Sequence, residues 1–154
     1  MTSQVEQRLS ALGITLPDPG APAGNYVPFV RTGNLVFISG QVSRSSEELL
    51  TGKLGSEVSL EEGQAAAKVC GINLIAQLKA ACEGDLDRVR RVVKLTGFVN
   101  AASDFAQHPS VVNGCSDLMV AAFGDLGRHA RAAVGSSSLP MNVSVEVEGV
   151  FEIV

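Results

Sequence analysis

Six polar residues in this 154-residue chain stand where chemistry could be done: Tyr26, Ser39, Asn113, Arg131, Glu146 and Glu148. Arg131 offers a planar guanidinium, which can hold a carboxylate in two parallel hydrogen bonds and so fix the carbon next to it. Glu146 offers a carboxylate that can take a proton from water and return one to a departing amine. Glu146 and Glu148 are two apart in a β-rich run, so they point the same way from a strand. Each residue also has a plainer reading. Arg131 could be a solvated strand-edge cation, and the two glutamates a wet stripe. Tyr26, the one tyrosine, could pack beside a proline-rich arm. Ser39 before Gly40 could be a turn residue, and Asn113 a solvated helix position. His129, two residues before Arg131, can share its face of a strand. His108 before Pro109 reads as a helix-start residue.

Composition narrows the reaction classes. Hydrophobic residues make up 45% and charged residues 18% of the chain, a globular recipe for one domain. Twelve Lys and Arg against sixteen Asp and Glu leave a formal charge of −4. The densest basic cluster, Arg88, Arg90, Arg91 and Lys94, is short, which argues against binding to phosphate backbones. Cys70, Cys82 and Cys115 lack CxxC spacing, and two histidines do not complete a ligand set. Neither a metal nor a disulfide framework is indicated, and buried free thiols are the expectation. There is no GxSxG elbow, P-loop, HExxH or dinucleotide fingerprint, so no cofactor is implied. The polar N-terminus has no signal-like apolar core and no stretch reads as a membrane span, which points to the cytoplasm.

The candidate residues need elements to hold them. Ser3 can cap a short helix reaching about Leu12, with Gly13 as its stop. Residues 16–24 contain three prolines and read as an extended surface arm. Residues 1–23 are thus a helix and arm, and 24–154 the single main domain. Residues 26–31 and 35–39 form a hairpin about Gly33-Asn34, and 42–58 a loop. Ser59 and Glu62 make a capping box, followed by a helix with Ala66, Val69, Cys70, Leu74 and Leu78 inward. Residues 91–100 read as a strand with Val93, Leu95 and Val99 on one face. Pro109 opens a second long helix, with Val112, Cys115, Met119 and Phe123 as its buried stripe and Gly124 as its exit. Residues 131–134 are a short strand. Residues 142–154 are a long one, with Val143, Val145, Val147, Phe151 and Ile153 inward and Ser144, Glu146, Glu148 and Glu152 outward.

Gly24-Asn25-Tyr26-Val27 and Gly33-Asn34-Leu35-Val36-Phe37-Ile38-Ser39-Gly40-Gln41 resemble the opening hairpin of the RidA/YjgF family of reactive-intermediate deaminases. Ala130-Arg131-Ala132-Ala133-Val134, then Leu139-Pro140, then Val145-Glu146-Val147-Glu148 resemble its C-terminal signature. The ordered combination, with fifteen positions from Arg131 to Glu146, extends over residues 24–154. The resemblance implies an α+β fold like bacterial chorismate mutase, β-β-α-β-α-β-β, with two helices packed on one face of a mixed sheet. It also implies a homotrimer with ligand clefts between subunits. The implied reaction is hydrolysis of 2-imino and enamine acids such as 2-aminoacrylate to a 2-oxo acid and ammonia. By the same resemblance Arg131 holds the substrate carboxylate and Glu146 orients water, while Tyr26, Ser39 and Asn113 contact ligand. Glu148, on the same strand face as Glu146, is expected to bind substrate as well. The family's cysteine, two residues after the arginine, is Ala133 here; its backbone amide can still donate to a carboxylate, but a thiol role is lost. The same cleft could serve a non-catalytic protein that binds a small carboxylate metabolite. Older names of the family, endoribonuclease L-PSP and translation initiation inhibitor, suggest a third reading. The acidic charge and the lack of an aromatic–basic surface stand against it.

Overall fold

In a computed structural model, which describes residues 2–22 and 24–154, the first helix, α1 (Gln4–Ala11), begins where its cap does. The Ser3 hydroxyl accepts from the Glu6 amide at 3.0 Å. The Asp87 carboxylate, far along the chain, accepts from the amides of Gln4 and Val5. Val5 and Leu9 are buried in the main core, so α1 is integral to it. The arm that follows lies along the surface, with Ile14 and Leu16 half-buried against the same core.

Two strands follow as a hairpin, β1 (Phe29–Thr32) and β2 (Leu35–Val42), turning at Gly33 with φ +60°. The first strand starts three residues later than its composition suggests: Tyr26 and Val27 are exposed, and Pro28 has no amide to give to a ladder. The second runs further than residues 35–39 because it crosses an irregularity between Ile38 and Gln41. Ser39 and Gly40 together lie opposite the single residue Glu148, a bulge of one extra residue. The following loop is more structured than its polarity implies, burying Leu54 and Val58 and bridging Thr51 to Val143.

Helix α2 (Leu60–Ala81) has the expected capping box, Ser59 and Glu62 each bonding the other's backbone amide. Strand β3 (Val89–Asn100) starts two residues early and is irregular between Val92 and Lys94, which puts Val92 rather than Val93 in the core. Helix α3 (His108–Phe123) has Pro109 in its first turn and buries Val112, Cys115, Met119 and Phe123. The two long helices cross so closely that a methyl group on Gly114 would stand 2.0 Å from the Gln64 carbonyl. Strand β4 (Ala130–Ser136) is longer than 131–134. Strand β5 (Val145–Ile153) is shorter than 142–154, because a 3-10 turn occupies Pro140–Asn142. Ser144 is therefore buried, donating to the Gly52 carbonyl, and does not join the outward glutamates.

The sheet order is β1-β2-β5-β3-β4, with only β3 and β4 parallel. This is an α+β fold: α2 and α3 cover one face of a mixed five-stranded sheet. The other face carries Val30, Phe37 and Val150 in register across β1, β2 and β5, with Phe37 44% and Val30 53% exposed. All three cysteines are buried and free. Burial pushes the Cys82 thiol up to about 11 and the Cys115 thiol to about 12, and raises Cys70 as well, so none is a ready nucleophile.

Candidate functional site

Strand β5 alternates, so Val145 and Val147 enter the core and Glu146 and Glu148 leave the opposite face. Glu148 is exposed, whereas Glu146 is half-buried across β2, where Val42 is its strand partner. The bulge makes that position possible. A methyl group at Gly40 would stand 2.2 Å from Glu146 Oε2, so the carboxylate occupies space that only glycine leaves open. Burial first, and the like charge of Glu148 second, raise the Glu146 carboxyl above the ordinary glutamate range.

Glu146 opens into a cavity of about 550 Å³ that also takes in Tyr26, Ser39 and Gly40, with Arg44, Gln77 and the arm around them. The Ser39 hydroxyl donates to the Val27 carbonyl at 2.8 Å and so ties the segment carrying Tyr26 to the bulge. On the rim, Asn73 of α2 donates to the carbonyls of Val42 and Arg44, fixing the chain that presents Arg44. Three of the predicted residues, Tyr26, Ser39 and Glu146, thus share one cavity.

Arg131, Asn113 and Ala133 lie elsewhere in the chain. Glu146 faces Phe98 on β3, and Phe98 faces Val134 on β4, three residues past Arg131. With strands about 4.8 Å apart and about 3.3 Å per residue, the two backbones are roughly 10 Å apart in each direction of the sheet. The side chains diverge further. Arg131 turns to α3, where its Nη1 donates to Asn113 Oδ1 at 2.8 Å and to Ser116 Oγ at 3.1 Å. Asn113 and Ser116 are three apart, so one helix face presents both oxygens.

Ser116 is itself held by His129. The Gly127 carbonyl, 2.6 Å from His129 Nδ1, can only accept, so Nδ1 carries a hydrogen. In the neutral ring Nε2 then accepts from the Ser116 hydroxyl at 2.9 Å, which turns the serine lone pairs to the guanidinium. Arg131 is thus fixed by two neutral oxygens. Among the described residues no carboxylate pairs with it, and its Nε and Nη2 have no partner. A half-buried guanidinium in that state is prepared for an anion. Ala133, two residues on, packs half-buried beside the core. No cluster of metal-ligating side chains occurs among the described residues, and no helix there is long and apolar enough to cross a membrane.

One chain therefore holds two separate polar groups: a carboxylate in a cavity, and a guanidinium with free donors on the far edge strand. A family model described as "YjgF/chorismate_mutase-like, putative endoribonuclease" matches residues 6–152, spanning both groups. The chain belongs to the YjgF/RidA family. Within that family it is 45% identical over 154 residues to Protein TCP17 of Trypanosoma cruzi, covering 99% of this chain and 96% of that protein. It is 30% identical over 138 residues to the 2-iminobutanoate/2-iminopropanoate deaminase of Escherichia coli strain K12, covering 88% and 94% of the two chains. The crystal structure of protein Atu1372 from Agrobacterium tumefaciens superposes with a TM-score of 0.92 at 46% identity, over 97% of this chain and 92% of that one.

Four residues around the two groups are not among the sequence candidates: Gly40, Arg44, Gln77 and Ser116. A glycine inside a strand pattern signals a close approach, so Gly40 was findable. Ser116 follows Asn113 at helical spacing and was findable too. Arg44 and Gln77 carry no local signal, since only distant segments bring them to the cavity.

Proposed function

We propose that this YjgF/RidA chain hydrolyses 2-imino acids, of which 2-aminoacrylate and its imine are the smallest, to 2-oxo acids and ammonia. The observation that carries this reading is Arg131, fixed by neutral partners with its charge uncompensated, as recognition of a carboxylate requires. The kinship with a named imine deaminase agrees with it. The two half-sites meet when a second copy is apposed, and the row of exposed Val30 and Phe37 with half-buried Val150 is the apolar surface that such a copy would cover. Three copies in a closed ring give every Glu146 an Arg131 from a neighbour.

In that cleft Arg131 holds the imino acid's carboxylate in its fork and presents C2. Glu146, as carboxylate, takes a proton from water while the oxygen bonds to C2 of the protonated imine and the C=N π pair moves to nitrogen, giving a neutral tetrahedral aminoalcohol. It gives that proton to the amino group, and the C–N bond breaks with its electron pair leaving on ammonia. The hydroxyl proton passes to the Glu146 carboxylate as the oxygen becomes the carbonyl of the 2-oxo acid, and its loss to water restores the base. Free imines already react with water, so positioning and a proton shuttle suffice. The Ala133 amide and Asn113 lie on the Arg131 side of the cleft, with Tyr26, Ser39 and Glu148 on the Glu146 side. The protein would act in the cytoplasm, beside the enzymes that release imines.

The test combines assembly and activity. Light scattering should give about the mass of three chains, and purified protein should shorten the life of 2-aminoacrylate made in situ by a dehydratase. A monomer at micromolar concentration would remove the shared cleft. A trimer without effect on imines, yet binding 2-oxo acids, would leave a metabolite-binding protein.

The raised Glu146 pKa also makes a prediction. A base works when deprotonated, so the acid limb of kcat/KM falls as pH drops through the Glu146 pKa, which burial and the Glu148 charge raise. Glu148→Gln removes the neighbouring negative charge, which lowers the Glu146 pKa. The limb therefore moves to lower pH, read from kcat/KM against pH, while a limb that stays put or moves up argues against Glu146 as the titrating base.

A further inference from the structure

The cavity beside Glu146 is larger than a three- or four-carbon imino acid needs. It measures about 550 Å³, within the range of about 300–1,000 Å³ that encloses whole drug-sized ligands. One wall is the arm, through Pro17, Pro19 and Pro22. Proline rings fix φ, so this wall is stiff and loses little freedom when a ligand packs on it. It is also strapped down. Ile14 and Leu16 pack on the core, and Gln77 of α2, only 3% exposed, donates to the Gly20 carbonyl at 3.0 Å. A buried glutamine spent on holding an otherwise exposed loop implies that the loop's position matters.

Two large side chains in the same cavity are uncovered. Tyr26 is 55% and Met141 54% exposed, and both line it. Met141 is held there by a left-handed backbone, φ +57°, a conformation that a side chain this large rarely adopts. In the reading above the carboxylate and C2 are held from the Arg131 side. That leaves the Tyr26 ring and the Met141 side chain, whose sulfur accepts from Arg44 Nη2 at 3.3 Å, as apolar surface for the rest of a ligand.

We propose that the arm, Tyr26 and Met141 form a subsite for an apolar side chain, so that the preferred substrates are 2-imino acids derived from larger aliphatic amino acids. This inference rests on the imine-hydrolase reading above. The arm excludes water from one side of the imine's side chain, and Ala76 of α2, 4% exposed and lining the cavity, leaves the room that the side chain fills.

The stable 2-oxo acid products serve as probes. Calorimetric titration of the assembled protein should show 4-methyl-2-oxopentanoate binding about tenfold tighter than 2-oxobutanoate, as expected for two further buried carbons. Ala76→Leu fills the cavity and Gln77→Leu releases the arm; in each, the ratio of the two affinities should fall toward one. Circular dichroism checks folding, and if Ala76→Leu does not fold, Gln77→Leu still decides. Equal affinities in the wild type, or a ratio unchanged in a folded variant, overturn the subsite. If neither acid binds the wild type while the protein is assembled, the imine-hydrolase reading itself falls, and the subsite with it.

Discussion

Glu146→Gln should lower imine hydrolysis by on the order of a hundredfold while leaving 2-oxo acid affinity within about twofold. The substitution is nearly isosteric, so the side chain still fits the space over Gly40, where a single methyl group would already collide with it. It keeps a hydrogen-bonding group in the cavity and leaves Arg131 untouched. What it removes is the capacity to accept a proton. Single-turnover decay of an imine generated in situ, measured beside a calorimetric titration, separates the two effects. A variant as active as wild type would exclude Glu146 as the base and turn attention to Glu148 or to water held by backbone. Equal inactivity of both proteins, with binding intact, would identify a sensor.

Arg131→Ala should reduce 2-oxo acid affinity by a hundredfold or more, since two charge-assisted hydrogen bonds at about 1.5–3 kcal/mol each are lost together. Assembly should persist, because among the described residues the guanidinium hydrogen-bonds Asn113 and Ser116 alone, both on α3 and neither a core residue. Arg131→Lys should lie between. It retains the charge, but a single ammonium cannot keep both neutral oxygens of α3 and present a planar fork to a carboxylate. Calorimetry and light scattering on the three proteins check both halves. Unchanged affinity in the alanine variant would place the ligand carboxylate on another cation, and Arg44, which shares the Glu146 cavity, would be the first to replace.

Much of the molecule was readable where the physics is local. The capping oxygens of Ser3 and Ser59, Pro109 at the start of α3 and Gly124 at its end set helix ends through contacts within a few residues. Alternation through β5 put Glu146 and Glu148 on one face for the same reason: side-chain direction in a strand is decided residue by residue. The family signature was legible because its spacing is written along the chain. The bulges were not. Whether a strand carries an extra residue depends on the partner it pairs with, so a strict two-residue period chose Val93 where Val92 is buried. It also ended β2 at Ser39, where the strand continues around the Glu146 carboxylate.

Residue type and order by themselves determined the α+β class, the helix-covered face of the sheet and the chemical inventory of one arginine and one glutamate. Only the tertiary structure decided where that inventory points. Arg131 turns to α3 because β4 is an edge strand laid parallel to β3, which brings Asn113 and Ser116 within reach and keeps the guanidinium away from its own chain's Glu146. The proline-rich arm is a cavity wall because Gln77, 57 residues further on, bonds its backbone. Contacts across such separations are made only when the sheet and helices have assembled, so no local pattern can carry them.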